Sequence, residues 1–167
     1  ISLDTEFIEN ENEDVSKNDC ELNAAKRLLE RLKKDYPRLP ICLQGDALYA
    51  AEPIMKICRE NGWSYILTQK AERQPTLAEN YEWLAGGGGE QEVKGIGKEG
   101  GEGTYINHVE ESAGKEEVAN MYGYQYETGK AGEKERHSFQ WITNIELTMK
   151  NLEEMILAGR GRWKIEN

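Results

Sequence analysis

Residues 40–70 read PICLQGDALYAAEPIMKICRENGWSYILTQK, and they decide the fold class of this protein. The stretch opens with a short apolar run that ends on Asp46, as a buried strand followed by a turn does. Pro53 suits the first turn of a helix, and Gly62 suits the position just past the end of that helix. A second apolar run over residues 63–70 indicates another buried strand. A strand, a crossover helix and a strand form a β-α-β unit, which is almost always parallel and right-handed.

The chain on the amino-terminal side of this unit predicts one more strand and one more helix. Residues 1–8, ISLDTEFI, alternate apolar and polar side chains, which is typical of a half-buried antiparallel or edge strand. After an acidic loop, we expect Asn18 and Glu21 to cap a helix that continues to Tyr36 and stops at Pro37. Its apolar stripe comprises Leu22, Ala25, Leu28, Leu29, Leu32 and Tyr36.

Residues 71–147 have a different character, because they combine glycine-rich stretches with strand-like runs. Residues 85–103, AGGGGEQEVKGIGKEGGEG, predict a low-complexity, mobile connector. Neither GIGKEG nor TGKAGEK completes a phosphate-binding P-loop, since no Ser or Thr follows the lysine. A final helix is expected from about Thr148 onward. Strands are predicted for the runs TYINHVE (104–110), MYGYQYET (121–128) and HSFQWITNIEL (137–147).

Composition limits the functions that this chain can have. Its 167 residues are the length of one domain, and 31 acids against 21 bases give a formal net charge of −10. Taken alone, this charge argues against a free-standing nucleic-acid binder, which needs lysine and arginine for phosphate contacts. The run GRGRWK over residues 159–164 is nevertheless locally basic.

Three cysteines without a CxxC motif predict reduced thiols in a cytoplasmic protein. The chain shows neither a signal peptide nor an apolar run of membrane-spanning length, so we expect no membrane contact. It begins with Ile1 inside a strand-like pattern and stops one residue after Glu166 in a helix-like run. We therefore interpret the sequence as a fragment that is incomplete at both ends.

Asp46 is the first candidate for chemistry. It ends a buried parallel strand, and in open α/β sheets ligands bind in the crevice beyond the carboxyl ends of the strands. Asp after Gly is also a good turn residue, so the alternative is that Asp46 only caps the turn before the next helix. His108 and His137 lack metal-ligand spacing, and we interpret them as surface or strand histidines.

Glu166 is the second candidate. It follows Met155 by eleven residues, which places it about 20° away on a helical wheel and on the apolar stripe of the last helix. A buried carboxylate needs a cation or hydrogen-bond donors. Arg162 could supply an ordinary i,i+4 ion pair. The alternative is a divalent metal, because Mg²⁺ accepts a few carboxylates from separate elements together with water and phosphate oxygens.

Two stretches resemble the catalytic domain of bacterial insertion-sequence transposases of the DDE type. They are LQGDALYA…PIMKICRENGWSYILTQK and WITNIELT…NLEEMILAGRGRWKIEN, and the resemblance covers nearly the whole chain except the glycine-rich middle. The opening EFI and the run NDCELNAAKRLL are similar to the stretch that precedes the second catalytic Asp in one branch of that group. The resemblance implies a ribonuclease-H-like α/β fold, with a mixed sheet, helices and a β-rich insertion before the last helix.

This resemblance also implies an organisation. Residues 1–70 would be the first part of the ribonuclease-H-like core, residues 71–147 the glycine-rich and β-rich insertion, and residues 148–167 the core helix that carries the catalytic Glu. The implied strand order is 3-2-1-4-5, with residues 1–8 as strand 3 and the strands at 41–46 and 63–70 as strands 4 and 5. Strand 4 would then have one bare edge.

By this resemblance, Asp46 is the second acid of the catalytic triad and Glu166 the third, and both would bind metal. Arg162 matches the Arg of the Tyr-x-x-Arg-x-x-x-Glu signature, whereas Gly159 stands at the signature's Tyr position. The first Asp would lie on an earlier strand outside this chain, and Asp4 is not its counterpart. The signature's Lys would also lie outside the chain.

The implied activity is DNA transposition by Mg²⁺- or Mn²⁺-dependent phosphodiester hydrolysis and strand transfer at a two-metal site. The partners would be transposon ends and target DNA, with a dimer in the full-length synaptic complex. Backbone contacts to DNA are expected from Arg160, Arg162 and Lys164, while Trp163 would stack on DNA or pack in the core. As a fragment, the chain is expected to be inactive alone. Two alternatives stay open, namely a decayed non-catalytic transposase remnant and a metal-dependent phosphatase or nuclease on another α/β fold.

Overall fold

The computed structural model describes residues 4–8, 17–111, 117–129 and 133–161, with the backbone only for residues 17–20. Within these ranges the chain is an α/β protein with one six-stranded mixed sheet and four helices. In chain order the elements are α1 (Lys17–Asp35), β1 (Cys42–Gly45), α2 (Glu52–Glu60), β2 (Ser64–Thr68), α3 (Pro75–Gly86), β3 (Gln91–Ile96), β4 (Gly101–Glu110), β5 (Val118–Thr128), β6 (Glu135–Thr143) and α4 (Leu152–Gly161).

The strands of the sheet have the order β1-β2-β6-β5-β4-β3. β1 and β2 are parallel, with Gly45 opposite Leu67, and α2 connects them. The predicted β-α-β unit is therefore confirmed. β6 pairs antiparallel with the other side of β2, and β5, β4 and β3 follow as antiparallel neighbours. The strands of residues 71–147 thus extend the sheet that β1 and β2 begin.

The ends of α2 lie where the sequence predicts them. Pro53 is in the first turn, and Gly62 follows the helix with a φ of +67°. Only glycine adopts this left-handed conformation at no steric cost, so it suits the position after a helix. The apolar stripe of the helix, formed by Ile54, Met55 and Cys58, is buried against the sheet.

Two hydrophobic cores lie on opposite faces of the sheet. Tyr65 and Leu67 belong to one core and Ile66 to the other, as the alternation of side chains along a strand requires. α1, α2 and α3 pack on the face of Leu67, whereas α4 packs on the face of Ile66. A fully buried Leu or Ile side chain contributes about 1.5–3 kcal/mol to folding, so both faces stabilise the sheet.

The chain between β2 and β4 is more regular than the predicted glycine-rich connector. α3 buries Leu77 and Tyr81, and β3 pairs with β4 over Gln91–Ile96. Gly95 and Gly97 have φ values of +77° and +68°, at the bulge in β3 and at the turn after it. The connector prediction is wrong here, because pairing with β4 outweighs the weak local strand preference of a glycine-rich sequence.

β6 ends at Thr143, so it is shorter than the predicted strand over residues 137–147. After Thr143, hydrogen bonds of the Asn144 side chain replace the backbone pairing of the strand. Its Oδ1 accepts a hydrogen bond from Tyr65 N at 3.0 Å, and its Nδ2 donates to Trp63 O at 2.8 Å. These two bonds tie the chain after β6 to the start of β2, and the strand pattern stops.

Residues 4–8 form no strand, so the strand predicted over residues 1–8 is wrong for its described part. Ion pairs hold this segment against α1 instead. Arg31 Nε donates to Asp4 Oδ2 at 3.0 Å, Arg27 Nε donates to Glu6 Oε1 at 2.8 Å, and Arg31 also pairs with Glu6. A strand needs a paired neighbour for stability, and these five residues have helical neighbours.

Candidate functional site

Asp46 directly follows β1 and organises the turn toward α2. Its Oδ1 accepts a hydrogen bond from Leu48 N at 2.8 Å, and its carbonyl oxygen accepts one from Tyr49 N at 3.1 Å. The turn role that the sequence allows is therefore present. A carboxylate has about four acceptor positions, and the Leu48 amide occupies one of them, so the Asp46 side chain can accept from other groups as well. The backbone contact fixes the direction in which the half-buried carboxylate projects.

Two carboxylates, those of Glu21 and Asp46, lie near this turn. Burial raises the pKa of the Tyr49 phenol, and the carboxylates of Glu21 and Asp46 raise it further. Glu21 lies on α1, so carboxylates from two separate elements act on the same phenol. Both carboxylates therefore lie near enough to the phenol to disfavour its anionic form.

α4 packs closely on β5 and β6 at its carboxyl-terminal half. A Cβ atom at Gly159 would lie 2.6 Å from Cε2 of Trp141, so the indole fills the space of a side chain at this position. Tyr122 donates its hydroxyl hydrogen to Met155 O at 3.0 Å. Trp141 thus places an aromatic ring of the sheet directly beside Gly159.

Asp46 and the end of α4 lie at the same height along the strands. Gly45 is opposite Leu67, which makes Asp46 level with Thr68. Thr68 is opposite Trp141, and Gly159 contacts the Trp141 ring. β1 and β6 are two strand spacings apart, which is about 10 Å. The carboxyl end of β1 and the contact of Gly159 with Trp141 therefore lie toward the same end of the strands, on strands two apart.

Arg160 is held on a row of aromatic rings. The row, called the aromatic ladder below, consists of cross-strand pairs on β5 and β6: Tyr122–Trp141, Tyr124–Phe139 and Tyr126–His137. The guanidinium carbon of Arg160 lies 5.4 Å from the ring centre of Tyr124 and 5.1 Å from that of Tyr126. Arg160 Nη2 also donates to Glu99 Oε1 at 3.1 Å. This hydrogen bond lowers the pKa of Glu99.

Four of the predicted site residues lie outside the described part of the chain, namely Arg162, Trp163, Lys164 and Glu166. Asp46 and Arg160 are described, and both lie toward the end of the sheet at which β1 and β2 finish. Among the described residues, no group of three or more His, Cys, Asp or Glu side chains could hold a metal ion. His108 Nε2 lies 3.6 Å from Glu146 Oε2, and His137 stacks on Tyr126. Both histidines lie on strands, His108 on β4 and His137 on β6.

Sequence reasoning missed Glu99 and the aromatic ladder. Glu99 lies in the turn after β3, inside the stretch interpreted as a connector, and no local pattern marks it. The ladder does have a sequence signal, because aromatic residues recur with a period of two in YGYQY and HSFQW. That period predicts rings on one face of each strand, but not that the two strands are paired in this register.

Comparison with known proteins does not identify the chain. Neither a scan against protein-family models nor a search of curated proteins finds a match. In the described part of the chain, no helix combines the length and the apolar character needed to cross a bilayer.

Proposed function

We propose that the chain is part of a ribonuclease-H-like catalytic domain of a DDE transposase. The observation that carries this proposal is that β1 and α4 both end toward the same end of the strands. Asp46 ends a parallel strand there, and α4, from which Glu166 follows in sequence, ends at the same height across two strands. The resemblance in sequence names the same two residues as the second and third catalytic acids.

The sheet supports the proposal in a second way. In the described part of the chain, β1 has a strand on one side only. A ribonuclease-H-like order of 3-2-1-4-5 would put strand 1 on the open side of β1, with β1 and β2 as strands 4 and 5. Helices on both faces of the sheet fit this arrangement. The division into a core over 1–70 and 148–167 and an insertion over 71–147 belongs to the proposal, with β6 joining the insertion to β2.

The proposed chemistry is phosphodiester hydrolysis and strand transfer on DNA. When bound, Mg²⁺ or Mn²⁺ supplies Lewis-acid activation of the attacking oxygen and stabilises the leaving oxygen. Asp46 and Glu166 would hold the metal, and the turn contact from Leu48 N orients the Asp46 carboxylate for this task. Arg162, Trp163 and Lys164 would contact DNA, and Arg160 would lie beside them. The partners would be transposon ends and target DNA in a dimeric synaptic complex in the cytoplasm.

Metal binding tests the proposal directly. Mn²⁺ is titrated into the 167-residue chain, and free Mn²⁺ is followed by electron paramagnetic resonance. We expect weak binding that is lost in Asp46→Asn, because the amide keeps an oxygen for Leu48 N while the charge is removed. Asp35→Asn, at the end of α1, is the matched control and should bind like the unchanged chain. Equal binding by Asp46→Asn would refute the assignment of Asp46 as a metal ligand.

The turn contact of Asp46 favours a second candidate, a decayed transposase remnant without catalysis. In that case Asp46 is kept for the turn alone, and Asp46→Asn and Asp46→Ala differ only in stability. A metal-dependent phosphatase or nuclease on another α/β fold would need Asp46 but not Glu166. Mn²⁺ binding by Glu166→Gln separates these cases, because only the transposase proposal requires both acids.

A further inference from the structure

We propose that a polar hollow over Gly123 of β5 binds a small uncharged saccharide unit through its hydroxyl groups. The hollow lies on the sheet face that carries α1, α2 and α3, and it has a volume of about 280 Å³. Every residue that lines it belongs to the described ranges of the chain. The inference uses neither Asp46 nor a metal ion, so it goes beyond the proposed function and stands or fails independently of it.

The strand register forms the hollow around a position without a side chain. Gly123 lies opposite Thr104 of β4 on one side and opposite Gln140 of β6 on the other. These two neighbours are two strand spacings apart, which is about 10 Å. The next row on this face, about 7 Å along the strands, consists of Glu102, Gln125 and Ser138. Polar side chains therefore border Gly123 on three sides.

α3 and the residues after it close the fourth side. The Tyr81 hydroxyl lies 3.3 Å from Thr104 Oγ1 and donates its hydrogen to Glu90. Burial raises the pKa of the Tyr81 phenol, and the hydrogen bond with Glu90 raises it further, so the phenol keeps its proton. The phenol takes one of about four acceptor positions on the Glu90 carboxylate, which can accept from other donors as well.

A buried amide with an unused donor continues the row of Gly123. Gln69 N donates to Gln140 O at 2.9 Å, so Gln69 lies opposite Gln140. Leu67, two residues earlier, packs in the core of this face, and the alternation along the strand puts Gln69 on the same face. Gln69 is 6% exposed, and its Nε2 has no hydrogen-bond partner among the described residues. An unpaired buried donor favours an acceptor atom supplied from outside the protein.

The charge and shape of the hollow disfavour several classes of ligand. Glu90 and Glu102 line it without a lysine or arginine, so they repel phosphates and other anions. Within the described ranges, no group of three or more His, Cys, Asp or Glu side chains could hold a metal ion. The rings of Tyr124 and Phe139 belong to the core on the other face of the sheet, so they offer no stacking surface to a nucleobase here.

The mixture of donors and acceptors favours hydroxyl groups over an ammonium group. Gln125 Oε1 accepts from Arg136 Nη2 at 2.6 Å, which leaves the amide hydrogens of Gln125 as donors. An ammonium group only donates, so it cannot satisfy them, whereas a hydroxyl group both donates and accepts. Adjacent hydroxyls of a sugar ring match carboxylates and amides side by side. The volume is slightly below the range of about 300–1,000 Å³ for drug-sized ligands, which suits a single sugar unit.

The experiment uses the 167-residue chain without added metal. The probes are the methyl glycosides of glucose, galactose and mannose, and binding is measured by saturation-transfer difference NMR. We expect at least one glycoside to bind with a Kd in the millimolar range. Tetrahydropyran has the ring without the hydroxyl groups and should not bind.

Two variants locate the site. Glu102→Gln removes a charged acceptor and should weaken binding about tenfold, as the loss of a hydrogen bond to a charged group does. A Cβ at Gly123 would lie 3.3 Å from Thr104 Oγ1, so Gly123→Ala narrows the floor of the hollow and should weaken binding at least as much. The matched controls are Glu135→Gln, outside the hollow on β6, and Gly86→Ala, where no heavy atom of a described residue lies within 4 Å of the Cβ.

Circular dichroism shows whether each variant is folded, and Glu102→Gln alone decides if Gly123→Ala is not. No binding by any of the three glycosides overturns the inference. Unchanged binding by folded Glu102→Gln also overturns it, as does an equal loss in the two controls. Asp46→Asn should bind the glycoside like the unchanged chain, so the result is independent of any Mn²⁺ binding at Asp46.

Discussion

A side chain at position 159 would collide with the buried indole of Trp141. The Cβ of an alanine would lie within 2.6–3.0 Å of three indole atoms, and the ring is buried and stacked on Tyr122 and Phe139. We expect Gly159→Ala to lower the free energy of unfolding by about 1–3 kcal/mol, because α4 must shift away from the sheet. Urea unfolding measures this change.

The control for that prediction is two residues away on the same helix. Among the described residues, no heavy atom lies within 4 Å of a Cβ built at Gly161, so Gly161→Ala adds helix propensity without a clash with them. It should raise the free energy of unfolding slightly, by up to about 1 kcal/mol. A similar effect of the two substitutions would show that the contact between Gly159 and Trp141 does not determine how α4 packs.

The ion pair of Glu99 and Arg160 makes stability depend on pH. The hydrogen bond from Arg160 lowers the pKa of Glu99 from its ordinary value of 4.5. A lowered folded-state pKa stabilises the fold at pH values above 4.5, and this contribution is lost as the pH falls through the lowered pKa. We therefore expect the difference in unfolding midpoint between the unchanged chain and Glu99→Gln to shrink below pH 4.5. A difference that widens on acidification would contradict this sign.

Individual site residues differ in how far the sequence could predict them. Asp46 and Gly62 stand at chain positions that local rules mark, after a buried strand and after a helix, and both lie as expected. Glu99 acts on a residue 61 positions away. No local rule predicts such a contact, because it depends on how β3, β4 and α4 are arranged relative to one another.

At the level of elements, asparagine side chains connect the segment between β6 and α4 to the sheet. Besides Asn144, Asn107 exchanges two hydrogen bonds with the backbone of Leu147, at 2.8 and 3.0 Å, and Asn120 donates to Ile145 O at 2.8 Å. These contacts set the direction in which the chain enters α4.

We expect Asn144→Ala to destabilise the protein by about 1–3 kcal/mol, because the buried residue Tyr65 loses the partner of its amide. Asn80→Ala removes a single exposed hydrogen bond to Glu110 O and should cost less. Thermal unfolding of both variants measures and compares the two losses of stability. An equal cost would mean that the contacts of Asn144 add nothing beyond an exposed bond.

The elements that sequence patterns predicted well are those with a strong local signal. The β-α-β unit has apolar runs bounded by Pro53 and Gly62, and its pattern needs no distant partner. β3 has no such signal, since its burial is slight and, within the described ranges, it pairs with β4 alone. The predicted start of the last helix near Thr148 is close to the observed one, because Thr148 and Asn151 cap each other through side chain and backbone in the turn that leads into α4 at Leu152.

At the level of the whole molecule, the proposed function predicts that this chain does not cleave DNA. If the proposed function holds and its first catalytic Asp is not among these 167 residues, two carboxylates would be available where a two-metal site needs more. The purified chain with Mg²⁺ should leave a supercoiled plasmid intact over hours, as judged on an agarose gel. Robust Mg²⁺-dependent nicking that Glu166→Gln abolishes would show that the first Asp has been misplaced.

The two edges of the sheet differ in how well they are protected from pairing with another chain. β3 carries Lys94 and a bulge at Gly95, both of which disfavour edge-to-edge pairing. β1 has no charged residue over Cys42–Gly45 and no bulge against β2. Beside it is a groove of about 330 Å³ with a mainly apolar lining that includes Leu28, Leu43 and Ile54. In the part of the chain that the structure describes, no strand pairs with the outer side of β1, and an open strand next to apolar surface favours association.

We therefore expect the chain to self-associate as its concentration rises, and a charge on β1 to reduce this. Gln44 is exposed, so Gln44→Lys places an ammonium on the open edge with little effect on the core. Gln91→Lys, on exposed β3, is the matched control. Sedimentation velocity should show the Gln44→Lys chain shifted toward the monomer, while Gln91→Lys associates like the unchanged chain. If Gln91→Lys gives the larger shift, association runs through β3, and the open side of β1 is not the reactive edge of the molecule.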